Sequence, residues 1–85
     1  MKIIKKNKEL KVGDIVRVKS YEDIQKTFDY NSSNETNGCL FLDYMKQYCL
    51  HEFEIGEKLT ISKNTKRFNL RTTGYWFDES WLDLK

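Results

Sequence analysis

The chain has 85 residues, of which 39% are apolar and 33% charged, with no proline; this predicts one small domain spanning residues 1–85, since domains usually run to about 100 to 150 residues. A net charge of +2 is too small to indicate a nucleic-acid or membrane partner by itself. No apolar run approaches the roughly 20 residues of a membrane helix, and residues 1–10 lack a signal-peptide stretch, so we expect a cytoplasmic protein with no membrane partner.

The charges are distributed unevenly along the chain. The N-terminal segment 1–11 is basic, residues 20–57 hold eight acidic side chains against two basic ones, and residues 58–71 hold five basic side chains and no acidic one. If the fold keeps these blocks apart, the molecule has an acidic face and a basic face.

The first predicted element is a half-buried strand. Val16 and Val18 alternate with Arg17 and Lys19, directly after the turn-forming pair at 13–14. An alternation of apolar and charged side chains is typical of a strand with one face on the core.

A short helix is predicted next, over about 21–29. Ser20 and Asp23 have the spacing of a capping box, in which the acid is a shorter version of the usual Glu or Gln. Ile24 and Phe28 then recur at helical spacing, so the helix should place an apolar stripe on the sheet.

The middle of the chain combines a polar segment with an ambiguous apolar one. Residues 30–38 read YNSSNETNG, which predicts a mobile surface loop. Apolar residues at 42, 45 and 49 fit a helical face, while residues 40–42 also fit a buried strand. We favour a short helix over 41–48.

The last third of the chain predicts a meander of short strands. Alternating apolar side chains mark strands at 53–55, 59–61 and 68–70, with turns at 56–57 and 63–65. After another turn at 73–74, the aromatic run 75–77 predicts a final strand. Asp78 is then placed to cap a last helical turn that carries Trp81 and Leu82, and we expect Trp81 to be buried.

Together these elements predict a mainly β fold of about five short strands with one or two short helices. The chain contains no alanine, the strongest helix former, which agrees with low helix content. An open sheet would leave long unpaired edges, so we expect a small SH3-like barrel. Because small barrels seldom cover every edge, a monomer or a weak homodimer is expected.

Three blocks carry a resemblance to a known group of proteins: VGDIVRVKS at 12–20, MKQYC at 45–49 and YWFDESWL at 75–82. Together they resemble short SH3-like proteins encoded by phages and mobile elements of low-GC bacteria. The resemblance implies an SH3-like fold and a compact accessory protein of a mobile element, and it supplies no catalytic residues. In that group glycine often follows the mid-chain cysteine, where this chain has Leu50.

Catalytic and metal chemistry find little support in the residue supply. Cys39 and Cys49 are expected to be free thiols, and with His51 they lack the close ligand pairs of a structural zinc site. Cys49 and His51 would share one face of an extended segment, but a nucleophile pair also needs an oxyanion site and a pocket. No glycine-rich phosphate loop is present. We therefore expect a non-enzymatic protein without a cofactor.

Protein binding is the preferred function, and an exposed tryptophan is its first candidate site. If Tyr75 and Phe77 point inward, Trp76 points outward beside Arg71, and such a residue is a typical interface anchor. The alternative, Trp76 in the core, stays open.

An acidic surface is the second candidate for protein binding. Glu52, Glu54 and Asp43 belong to the acidic block and would suit basic host proteins, including nucleases. With the resemblance, this suggests inhibition of a host defence factor. The alternative is a solvated surface without a partner.

Single-stranded nucleic-acid binding is the alternative function, because small barrels often pair a basic groove with stacking aromatic side chains. It uses the basic segment 58–71 and the aromatic run that follows. The candidate residues are Lys63, Lys66, Arg67, Arg71, Tyr75 and Trp76.

Overall fold

The computed structural model describes residues 9–85, so most of the basic segment 1–11 lies outside the described part. The described chain is mainly β, as predicted, and none of its helices has the length and apolar character needed to cross a bilayer. The elements are β1 (Ile15–Val18), α1 (Tyr21–Gln25), β2 (Glu35–Thr36), β3 (Cys39–Leu40), the 3-10 helix η1 (Asp43–Tyr48), β4 (Glu52–Ser62), β5 (Thr65–Leu70), β6 (Trp76–Asp78), the 3-10 helix η2 (Glu79–Trp81) and β7 (Leu82–Leu84).

Five strands form one antiparallel sheet in the order β6-β5-β4-β1-β7, and β2 pairs with β3 in a separate hairpin. β4 joins the two halves of the sheet, because its first residues pair with β1 and the rest pair with β5. Within residues 9–85, β6 and β7 are the sheet edges and do not pair with each other. The expectation of a closed barrel is therefore wrong. Both edge strands are only three residues long, so few backbone groups stay unpaired without closure.

β4 runs through the position where the sequence predicted a turn. Gly56 and Glu57 lie inside this strand, so the two short strands expected on either side of them are one. The pairing with β5 shifts between Ile55 and Glu57, which is a β-bulge. A side chain at Gly56 would meet Arg71 Cγ at 3.2 Å, so glycine allows the close approach of the chain beyond β5. The local signal marked a bulge and not a chain reversal.

The C-terminal residues form a strand that the sequence patterns did not predict. Asp78 caps η2 as expected, since its Oδ2 accepts a hydrogen bond from Ser80 N at 3.0 Å. Leu82, expected in the helical turn, instead begins β7, which pairs antiparallel with β1. Three residues are too few for their alternation to identify a strand by itself.

Helix α1 begins as predicted and ends early. Ser20 Oγ accepts a hydrogen bond from Asp23 N at 3.1 Å, which confirms the N-cap, and Ile24 is buried on the core. The helix ends at Gln25 and not at residue 29. Thr27 Oγ1 donates to Ile24 O at 2.6 Å, so its hydroxyl takes a carbonyl that a further helical turn would use.

The polar segment 30–38 ends in a hairpin and not in an irregular loop. β2 and β3 pair through Asn37 and Gly38, whose φ values are +52° and +80°. Positive φ at both turn residues is the type I′ geometry that Asn-Gly favours. Asp29 fixes the turn, because its carboxylate accepts hydrogen bonds from Asn37 N at 2.8 Å and Gly38 N at 3.1 Å.

The short helix expected over 41–48 is present as η1. Met45 on this helix and Phe41 before it are buried, while Leu40 and Leu42 are exposed. The strand alternative for this segment is realised only at its first position, where Leu40 belongs to β3.

Leu50, which follows η1, has a backbone conformation that favours glycine. Its φ is +69°, and its side chain is half-exposed. Leu50 N donates to Val18 O at 2.7 Å, which attaches this turn to β1. Glycine at this position would remove the steric conflict.

The core packs around Trp81, which is fully buried as predicted. Its ring meets Phe41 and Phe77 edge to face, with centroids 5.3 Å and 6.2 Å away. Its Nε1 donates to Thr36 Oγ1 at 3.0 Å and lies 3.1 Å from Thr27 Oγ1. The indole therefore joins the β2–β3 hairpin, the end of α1 and the C-terminal strands.

Candidate functional site

A concave groove of about 440 Å³ lies between two parts of the fold. The β3 strand and the start of η1 form one wall, and β4, β5 and β6 form the other. The side chains that give the groove its character are Leu40, Leu42, Leu59, Arg67, Tyr75 and Trp76.

The groove is lined by apolar side chains that remain partly open to solvent. Alternation along the short strands places them there: Cys39 is buried and leaves Leu40 outside, and Phe77 is buried and leaves Trp76 outside. Single exposed apolar residues are common, but a contiguous set in a concavity is typical of a binding surface. The exposed fractions are 47% for Leu40, 37% for Leu42, 45% for Leu59 and 36% for Trp76.

Trp76 lies at the sheet edge with the orientation expected if its neighbours face inward. Phe77 is fully buried, and Tyr75 is half-buried with its ring 6.1 Å from that of Tyr48. The Trp76 carbonyl lies 3.7 Å from the thiol of Cys39, which donates to it across the groove floor. The backbone of β6 is thereby connected to the hairpin on the other wall.

Arg67 is the one charged residue that lines the groove within the described residues. It pairs across the sheet with Leu59 on β4 and with Asp78 on β6, which puts these three residues on one face. Arg67 Nη2 donates to Asn37 O at 3.0 Å. Its Nε is buried and has no hydrogen-bond partner among residues 9–85. The guanidinium is thus fixed by a hydrogen bond at Nη2, while its Nε donor makes none within the described residues.

Cys39 forms part of the groove floor and is chemically quiet. Burial raises the pKa of its thiol to about 11, although the nearby Arg67 guanidinium acts in the opposite direction. A thiol with this pKa is protonated at neutral pH, and the thiolate is the reactive form. The groove therefore offers contact surface at this position and no nucleophile.

Two of the acidic candidates are neutralised by neighbouring cations. Glu54 Oε2 lies 3.3 Å from Arg71 Nε, and Glu52 Oε2 lies 2.9 Å from Lys85 Nζ. Arg71 lines a second depression, together with Asn69, and it is not among the residues that line the groove with Trp76.

Asp43, the third acidic candidate, begins η1 next to the groove residue Leu42. Its carboxylate is almost fully exposed and lies 3.6 Å from Lys46 Nζ, one turn along the helix. Lys46 Nζ is also 4.6 Å from the ring centre of Tyr21. Asp43 is thus near the groove but outside its lining.

The basic candidates are divided between the two faces of β5. Arg67 faces the groove, whereas Lys66, its neighbour in sequence, pairs with Thr60 on the other face. Lys66 Nζ donates to Lys63 O at 3.4 Å near the β4–β5 turn. Of the six nucleic-acid candidates, the structure brings together Arg67, Tyr75 and Trp76.

Cys49 and His51 do not share a strand face, which corrects the geometry expected for a nucleophile pair. The positive φ of Leu50 between them breaks the alternation, and β4 begins only after His51. Burial raises the pKa of the half-buried Cys49 thiol. Among the residues that the structure describes, no three His, Cys, Asp or Glu side chains converge as a metal site would require.

Sequence reasoning missed three groove residues, namely Leu40, Leu42 and Leu59. Leu59 alternates with Thr60 as a core residue would, yet it is exposed because the β-bulge between Ile55 and Glu57 shifts the alternation. After the bulge Lys58 pairs with the buried Phe68, and Leu59 pairs with Arg67 on the opposite face. The alternation alone does not show on which side of a bulge the apolar residues face the core. The Asn37-Gly38 pair is the signal that could have identified the hairpin carrying Leu40, but the segment was predicted as a mobile loop.

Comparison of the chain with models of protein families gave no match, and searches of curated proteins and of solved structures gave no significant match.

Proposed function

We propose that the protein acts without catalysis, by binding another protein, and that the groove receives an apolar segment of that partner. One observation carries the proposal: Leu40, Leu59 and Trp76 are exposed side by side in a concavity. Removing apolar area from water contributes about 25 cal/mol per Å², so an apolar side chain would gain free energy there. Tryptophan and arginine are also the residues that most often dominate interface energies.

We also propose that the fold is SH3-like in its topology. Numbered along the chain, the five sheet strands have the order fifth, first, second, third and fourth. The second of them, β4, is shared by both halves of the sheet, and a 3-10 helix precedes the last strand. These features support an SH3-like arrangement without full closure. An experimental structure with a different strand order would refute it.

Selection of peptides tests the groove directly. We expect the protein to select peptides that contain apolar residues from a library of random displayed peptides. Binding of a selected peptide should change the fluorescence of Trp76. Leu59→Ser and Trp76→Ala should each weaken binding about tenfold or more, which is about 1.4 kcal/mol. Val12→Ser is the matched control, since Val12 is 53% exposed and lies outside the groove. Failure to select any peptide, or equal effects of the groove and control variants, would refute the proposal.

The identity of the partner forms a separate part of the proposal. The resemblance to phage and mobile-element proteins suggests a host protein, and among these a defence factor. In a pull-down from host lysate, a partner that depends on the groove should be lost with Trp76→Ala and kept with Val12→Ser. A host protein that is recovered equally with wild type, Trp76→Ala and Val12→Ser would contradict this assignment.

Single-stranded nucleic acid is the second candidate, supported by Arg67, Tyr75 and Trp76 in one groove. Such binding would combine stacking with phosphate contacts and would weaken steeply with salt. Titration with labelled single-stranded DNA and RNA at two salt concentrations separates the candidates. Micromolar binding that collapses with salt and is abolished by Arg67→Glu would favour nucleic acid over protein.

A further inference from the structure

We infer that the partner segment carries an Asp or Glu side chain whose carboxylate pairs with Arg67, next to the apolar residues that fill the groove. This inference rests on the proposed function, because it names the chemistry of the segment that the groove would bind.

The first support is the position of Arg67 among the cations of the described residues. Lys58 and Arg71 have carboxylate oxygens at 3.1 and 3.3 Å. Arg67, like Arg17 and Lys66, has no carboxylate at ion-pair distance within residues 9–85, but of these three only Arg67 lines the groove. It is therefore the cation that an acid bound in the groove would meet.

Asp78, the acid nearest to Arg67 across the strands, is already engaged. One of its carboxylate oxygens accepts hydrogen bonds from Ser80 N at 3.0 Å and Ser80 Oγ at 2.6 Å, and the other from Asn37 Nδ2 at 3.5 Å. The η2 cap thus commits this carboxylate to the fold.

The guanidinium is also positioned in advance. Asn37 O holds Nη2 at 3.0 Å, so binding would not have to order a free arginine side chain. Nε is buried, so the donors that an incoming carboxylate can reach are those on the Nη atoms that Asn37 O does not use. Arginine carries its donors in a fork that matches a carboxylate.

The apolar walls determine how strongly such a pair counts. Exposed ion pairs contribute little because water screens them, whereas a partner packed on Leu59 and Trp76 would exclude part of that water. A hydrogen bond to a charged group contributes about 1.5 to 3 kcal/mol, equivalent to about a tenfold or greater preference.

Matched synthetic peptides test this inference. A selected peptide with a C-terminal amide is made in two forms, one with its Asp or Glu and one with Asn or Gln in its place. We expect wild-type protein to prefer the acidic form about tenfold or more, and Arg67→Gln to bind both forms equally. The neutral peptide should bind Arg67→Gln about as well as wild type, and thermal unfolding checks that the variant is folded.

The outcomes separate this inference from the proposed function. Equal binding of the two peptide forms to wild-type protein would overturn the carboxylate assignment and leave groove binding intact. Loss of both forms in Leu59→Ser, with the acidic preference lost only in Arg67→Gln, would support both. If Arg67→Gln fails to fold, a third peptide with Lys in place of the acid is compared on wild-type protein. The acidic form should then bind best and the Lys form worst, and any other order would overturn the carboxylate assignment. A wild type that binds no peptide would refute both proposals.

Discussion

The two tryptophans of this protein lie five positions apart, and one belongs to the core while the other belongs to the surface. Trp81 is fully buried, its ring packs against Phe41 and Phe77, and its N–H has acceptors. Trp76 lies on an edge strand with about a third of its surface exposed. The same side chain stabilises the fold in one region and forms a surface in the other. The difference comes from strand alternation and from what packs above each position.

The largest expected effect is the loss of stability at the buried tryptophan. Trp81→Ala should lower the free energy of unfolding by about 3 to 5 kcal/mol, since it leaves a cavity and removes a buried hydrogen bond. Trp76→Ala should cost only about 1 to 2 kcal/mol, because less area returns to water. Urea unfolding followed by circular dichroism measures both. Equal losses would remove the contrast between the two regions.

A second effect concerns Cys39, which lies between the groove and the core. Its folded pKa of about 11 exceeds the ordinary value of 9.0, so on raising the pH the unfolded chain loses its thiol proton first. Burial of the protonated Cys39 thiol is therefore fully tolerated below pH 9. As the pH rises from 9 to 11, the free energy of unfolding should fall by about 2 to 3 kcal/mol. Cys39→Ala should therefore show a shallower decline in unfolding free energy over this range than wild type. Parallel declines would contradict the assignment.

A third, smaller effect lies outside both regions and opposes the first in sign. Leu50→Gly should raise the free energy of unfolding by up to about 1 kcal/mol. A left-handed conformation costs a non-glycine residue about 1 to 2 kcal/mol, and glycine removes this cost. The gain is partly offset because glycine makes the unfolded chain more flexible and so stabilises the unfolded state. Leu50 is half-exposed, so little packing is lost. Leu50→Ala is the control, and glycine no better than alanine would refute the strain.

The smallest expected effect is at the acidic strand surface. Glu54→Gln breaks the pair with Arg71, in which both side chains are substantially exposed. Such pairs contribute about 0 to 1 kcal/mol, and high salt should reduce the difference further. The unfolding free energies of the variant and wild type, compared at low and high salt, measure this contribution. A loss as large as that of Trp76→Ala would show that this ion pair matters as much to the fold as the exposed tryptophan.

The local elements that the sequence predicted well are those whose signals are complete within a few residues. Val16 and Val18 are buried on β1, Ser20 caps α1, and Asp78 caps η2. Each depends on alternation or on a side chain reaching a backbone group two or three residues away. Such interactions do not depend on the rest of the fold.

The candidate site was predicted only in part. Arg67, Tyr75 and Trp76 were identified from the sequence, but Arg67 was grouped with Arg71 and Lys66, which do not line the groove. Leu40 and Leu59 come from segments about twenty residues apart and meet only across the groove. Local patterns give the face of a strand and not the element that faces it.

By itself, the sequence determined that this is a mainly β chain with short capped helices and a buried Trp81, because alternation and capping are local. Tertiary structure alone decided that β4 continues through Gly56, that β7 joins β1, and that the sheet stays open. It also decided that Arg67 faces a groove without a carboxylate partner among residues 9–85, while Arg71 has Glu54. These outcomes depend on pairing between strands that are distant in the chain, and the free energy of such pairing cannot be inferred from any short segment.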